Sequence, residues 1–216
     1  MILDNKTLFA KVFLWLFVGL TITFGVGFVI QNNESLINML FVDGRYMFIW
    51  LVQLVLAIVL SISLHKMSGP VATILYILYT ALMGVTFSTI FISYKLTSII
   101  FVFGITAAVS LLFGLLGYKT KIDLSKIGSY LMMSIFALII LSVLSVFIKS
   151  VALNFGLIAL SLIIFLIYIA YDVQMIKRKM YYSNSDTSLA IYGAFQLYLD
   201  IINVFIDLLR IFGKER

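Results

Sequence analysis

Ser188 to Phe212 reads SLAIYGAFQLYLDIINVFIDLLRIF. It is long enough to cross a bilayer as one helix, yet it carries polar groups along its whole length. Gly193, Gln196, Asp200, Asn203, Asp207 and Arg210 follow one another at steps of three and four, the spacing that puts residues on one face of an α-helix. Such a face cannot meet lipid. A carboxylate at membrane depth costs roughly 2.5–3.5 kcal/mol on insertion scales, so these residues turn toward a bundle interior or a water-filled cavity. The stretch is therefore expected to be the central helix of a bundle.

The rest of the chain supplies the bundle. Of its 216 residues 63% are hydrophobic and 11% charged, far from the balance of a soluble domain, so the bilayer is the solvent. Spans of ~20 residues are placed at about 8–30, 46–64, 71–94, 97–116, 129–148, 151–171 and 188–212. The expected fold class is an all-α membrane protein, a seven-transmembrane-helix bundle with the seventh helix central, forming a single membrane domain over residues 1–216. The absence of cysteine excludes disulfides, thiolate chemistry and cysteine-ligated metals. A lone histidine, His65, speaks against histidine-based metal or catalytic sites. No enzymatic activity, cofactor or nucleic-acid partner is expected.

Along the chain, Leu8 to Ile30 is too long for a cleaved leader and lacks a small-residue cleavage pattern, so it is expected to be retained as a span. Gly19, Thr23 and Gly27 form a four-residue stripe where another backbone can approach. Leu36 to Val42, apolar inside a polar connection, suggests a loop on the membrane surface. Pro70 suits the first turn of a new helix. Thr80, Gly84 and Ser88, and then Gly104 with Ala108, read as helix-packing positions. A basic loop, YKTKIDLSK, separates spans four and five. Asn154, Ser161, Tyr168 and Asp172 share a face of span six, which ends at Lys177-Arg178-Lys179 before a polar loop, Tyr181 to Thr187.

Seven spans put Lys6, Lys11, Lys66, Lys119, Lys121, Lys126, Lys177, Arg178 and Lys179 on the N-terminal side. The other side receives Arg45, Lys95, Lys149, Arg210, Lys214 and Arg216. The imbalance favours a cytoplasmic N-terminus in a cell membrane. A last helix that dipped in and returned would place the basic tail inside as well; an unbroken helix-long run without Gly or Pro toward its end argues against that.

Among the carboxylates, Asp207 precedes Arg210 by three residues and can be met by it locally. Asp200 has no such neighbour. Pairing the inner half of the last helix with the inner end of span six brings it to Asp172. Two carboxylates in one low-dielectric site cannot both ionise cheaply, so they tend to share a proton and titrate as a unit. Such a pair either senses pH or simply ties two helices together. Ionised, it also offers the oxygen ligands that Ca²⁺ prefers.

Three stretches carry a resemblance: IYIAYDVQMIK (Ile167 to Lys177), LYLDIINVFIDLLRIFG (Leu197 to Gly213) and YTALMGVTFSTIFISY (Tyr79 to Tyr94). The first two resemble the last two helices of the Bax-inhibitor family, the transmembrane Bax-inhibitor-motif proteins, and the third is similar to that family's third-helix glycine motif. The resemblance implies a seven-helix bundle and, as in bacterial members, a pH-sensitive leak of Ca²⁺. It maps the family's di-aspartyl sensor onto Asp172 and Asp200, with Gln196 and Asn203 as neighbouring polar lining and calcium as a transient occupant. Where some members place an arginine latch at the end of helix two, this chain has His65 and Lys66. Thr89 stands where the third-helix motif commonly has proline. The competing reading is a non-conducting regulator that binds another membrane protein such as a protease or channel.

Overall fold

The computed structural model describes residues 5–41, 44–182 and 187–216. Val42 and Asp43 of the first polar connection, residues 183–186 of the last and the side chain of Lys6 lie outside the described residues. Among the described residues eight α-helices follow in order: α1 Asn5–Gln31, α2 Glu34–Phe41, α3 Arg45–Ser63, α4 Gly69–Ser93, α5 Leu96–Lys119, α6 Gly128–Ile148, α7 Val151–Tyr182 and α8 Thr187–Phe212. All but α2 are long and apolar enough to cross a membrane.

The expected surface loop is the short helix α2. Asn33 Oδ1 accepts the Leu36 N–H at 3.2 Å, and Glu34 stands in the first turn, where a negative charge suits the helix dipole. No α2 residue is buried, as befits a helix lying on an interface. α4 begins with Pro70 in its first turn. Span six does not end near Tyr171: α7 continues to Tyr182, because no Gly or Pro interrupts it, and the basic triplet 177–179 is helical.

The chain divides into two compact units. The first holds α1 to α4, α8 through Tyr198 and the last two residues. Its core is the close approach of α1 and α4. A Cβ on Gly84 would lie 2.6 Å from Val26 Cβ and 2.9 Å from the Thr23 carbonyl oxygen, a distance real side chains do not tolerate. The Thr23 hydroxyl, released by that closeness, donates to the Thr80 carbonyl at 2.9 Å. That leaves the Tyr198 hydroxyl, 2.6 Å away, to donate to Thr23. Tyr76, Tyr79, Phe195 and Tyr198 meet edge to face around this contact, the arrangement favoured by aromatic quadrupoles.

The second unit comprises Thr97–Lys179 and Leu199–Lys214. Here α5 crosses α7 at Gly117, whose added Cβ would run into the Ala170 carbonyl oxygen. Gly104 and Ala108, expected to pack, are instead exposed, and a Cβ on Gly104 would meet nothing within 4 Å. Four-residue spacing identifies a stripe but not which stripe a neighbour uses. The connection after α5 is clamped to α7 by Gln174: its Oε1 accepts the Leu124 N–H at 2.8 Å and its amide donates to the Ile122 carbonyl at 2.9 Å.

Direction of travel is fixed by these contacts. Trp15 meets Tyr76 and Gly27 meets Gly84 and Phe91, so α1 and α4 run parallel. Thr187 lies against Gly69 and Tyr198 against Tyr76, so the start of α8 runs parallel to α4 too. At the other end the Arg216 N–H donates to the Ser93 carbonyl at 3.0 Å, and Glu215 bridges Tyr94. The tail therefore stands beside the C-terminal end of α4, at the same end as the C-terminus of α1. α8 crosses once, without returning, and the start of α1 and the end of α8 lie at opposite ends.

Candidate functional site

Asp172 on α7 and Asp200 on α8 are 7% and 5% exposed, and both belong to the second unit. Their carboxyls are hydrogen-bonded to each other. An ionised carboxylate only accepts, so a hydrogen bond between two carboxyls requires a proton on one of them. The pair in this arrangement is singly or doubly protonated. Asp200 Oδ2 is buried and has no hydrogen-bond partner.

Lys179 interacts electrostatically with Asp172 from two turns further along α7, and Tyr168, one turn before Asp172, feels both carboxyls. The sequence places Tyr168 on the face of Asp172, but the role of Lys179 was not apparent there. Lys179 reads there only as one of three basic residues, though its spacing of seven from Asp172 places it on the same face. Its neighbours are engaged elsewhere. Lys177 donates to the Tyr118 carbonyl at 2.8 Å and sits over the Tyr118 ring; Arg178 pairs with Asp123. Asp123 also accepts the Ser125 hydroxyl at 2.6 Å. That hydrogen bond and the Arg178 guanidinium hold its carboxyl at about 2, below its ordinary 3.8.

The other sequence-derived residues are more scattered. Asn203 is half-buried and donates to its own Leu199 carbonyl at 2.7 Å. Gln196, in the first unit, has a buried Oε1 without a hydrogen-bond partner. His65 and Lys66 form an exposed 3₁₀ turn in the first unit, where the His65 ring meets Tyr192 edge-on, 5.3 Å between centroids. Asp207 departs from expectation. It is 4% exposed and accepts a hydrogen bond from Ser161 on α7, so its charge is met from a neighbouring helix as well as by Arg210.

Among the described residues no cluster of three or more acidic, histidine or cysteine side chains could hold a metal. Ca²⁺ takes six to eight oxygens, and two carboxyls alone fall short of that set. What the pair can do chemically is gain or lose the bridging proton, and with it the tie between α7 and α8.

Comparison with known proteins agrees with the architecture. Residues 5–216 match the family model described as inhibitor of apoptosis-promoting Bax1. The inner membrane protein YbhL of Escherichia coli K12 is 38% identical over 217 residues, covering 98% of this chain and 93% of YbhL. An uncharacterized protein of Borreliella burgdorferi is 39% identical over 220 residues, covering 100% and 94%. One from Deinococcus radiodurans is 32% identical, covering 98% and 91%. With seven apolar spans, a buried carboxyl pair on its last two helices and a match over nearly its full length, this chain belongs to the Bax-inhibitor family of multi-span membrane proteins.

Proposed function

We propose that the protein is a pH-sensitive cation leak of the cell membrane, with Ca²⁺ as its permeant ion and Asp172 and Asp200 as its sensor. The observation that carries this reading is the buried carboxyl–carboxyl hydrogen bond with one unpartnered oxygen. A proton holds the two helices together; its loss leaves two negative charges that repel each other and attract a cation. Gln196 and Asn203 line the route, Lys179 supplies the positive charge that competes with the ion, and Lys66, next to His65, stands where other members of the family carry their latch. Lysine lacks the two-pronged fit of guanidinium to a carboxylate, so a lysine latch holds less firmly than an arginine one. The N-terminus is cytoplasmic.

The test is Ca²⁺ flux into liposomes holding only the purified protein, measured across a pH series. Asp172→Asn and Asp200→Asn each remove the mutual repulsion while keeping shape, so each should flatten the pH dependence near neutrality. The double variant should add little, because the pair acts as one unit. Wild-type profiles in both single variants would sink the sensor assignment. A second reading draws on the family description as an inhibitor of another protein: a regulator that conducts nothing. Absence of flux at every pH would favour it.

A further inference from the structure

About two turns beyond Asp200, α8 forms one wall of a second polar feature that the carboxyl pair does not use. A cavity of about 430 Å³ opens between the C-terminal half of α6, the N-terminal half of α7 and the end of α8, wholly inside the second unit. Asp207 and Arg210 line it, three residues apart on one helix. Asp207 Oδ2 is buried and has no hydrogen-bond partner, while the other side of the carboxyl is steadied by Ser161. Ser142 and Asn154 add a hydroxyl and an amide, and Leu138, Leu157 and Ile158 make an apolar flank.

We propose that this cavity binds a small neutral α-amino acid as its zwitterion, the ammonium on the Asp207 carboxylate, the carboxylate on Arg210 and the side chain against the leucines and Ile158. A bare cation would meet the guanidinium, and a single carboxylate is a poor hard-cation site. A bare anion would meet Asp207. Residues at i and i+3 lie ≈ 5–6 Å apart at Cβ, a separation that one molecule carrying both charged groups on a single carbon can bridge. Arginine's planar fork suits a carboxylate. The same pairing of ammonium with an anion exists in a phosphatidylethanolamine headgroup, but the order is wrong for it. Asp207 lies ~4.5 Å deeper along α8 than Arg210, from a rise of ~1.5 Å per residue. A lipid whose chains are in the bilayer carries its ammonium outside its phosphate, whereas a solute entering from water can present its ammonium first.

The experiment uses the full chain in detergent, reading thermal midpoint and calorimetric binding with L-alanine, L-valine and L-leucine. The controls are the corresponding methyl esters, which keep only the ammonium, and N-acetyl derivatives, which keep only the carboxylate. The expected result is a saturable upward shift with at least one free amino acid, weakened tenfold or more by either capping. Arg210→Gln and Asp207→Asn should each abolish it; Ser161→Ala, a milder change that spares both charges, should weaken it severalfold. Equal binding of the esters would make this a cation site and overturn the proposal, as would saturable binding that survives Arg210→Gln. No shift with any of the three would overturn it as well. Loss of amino-acid binding in nanodiscs on replacing phosphatidylcholine by phosphatidylethanolamine would assign the site to the lipid instead.

Discussion

At the level of single residues, two carboxyls of similar burial do different work because of what faces them. Asp200 meets another carboxyl and must share a proton with it; Asp207 meets a hydroxyl and a guanidinium. Asp207→Asn should therefore leave the pH midpoint of Ca²⁺ flux where it is, and a displaced midpoint in the liposome assay would join the two sites. Lys179 makes a sharper case. Removing its charge with Lys179→Gln makes the pair harder to ionise, so the flux midpoint should move to higher pH, whereas Lys177→Gln, whose partner is the Tyr118 carbonyl, should not move it. His65→Gln should leave the midpoint in place, since its ring is held against Tyr192. The pair itself was legible from spacing and charge. Lys179 was not, since three consecutive basic residues look alike until a helix gives each its own direction.

At the level of elements, the glycines decide which helices touch. Gly117 lies against backbone, the Ala170 carbonyl, which cannot swing aside as a side chain can. Gly117→Ala should cost about 1–3 kcal/mol, as overpacking typically does, and lower the thermal midpoint in detergent; Gly104→Ala, facing open space, should not. The sequence offered both glycines on equal terms, and only the neighbour's position separates them. The clamp on the α5–α6 connection is polar and equally specific. Gln174→Leu should strip two hydrogen bonds worth about 0.5–1.5 kcal/mol each and accelerate hydrogen exchange at Leu124. The companion pair Asp123–Arg178 has its own pH window. A carboxyl held at about 2 rather than 3.8 contributes stability that is fully present above 3.8 and is lost as pH falls toward 2. Around neutrality it is constant. Asp123→Asn should therefore loosen the connection without altering the pH midpoint of flux.

At the level of the whole molecule, the span count, helical class and buried last helix followed from hydropathy and the polar face of α8, because a membrane admits few alternatives. The termini were harder to place: counting lysines and arginines left the basic tail on an awkward side, and only the pinning of Arg216 to Ser93 put it at the far end. The cysteine-free chain makes this easy to check. Single cysteines at Thr7 and Lys214 should react with a membrane-impermeant thiol reagent from opposite sides of intact cells, Lys214→Cys from outside and Thr7→Cys only after permeabilisation; labelling of both from one side would contradict a single crossing by α8. That helix is the most buried and the least apolar of the seven spans, and it follows the other six in the chain. When it leaves the ribosome its carboxyls have no favourable place in lipid, so its insertion depends on helices already waiting in the membrane. Biogenesis is thereby ordered by the sequence: the earlier spans are admitted on their own hydrophobicity, and the one with the buried polar face settles only once they surround it.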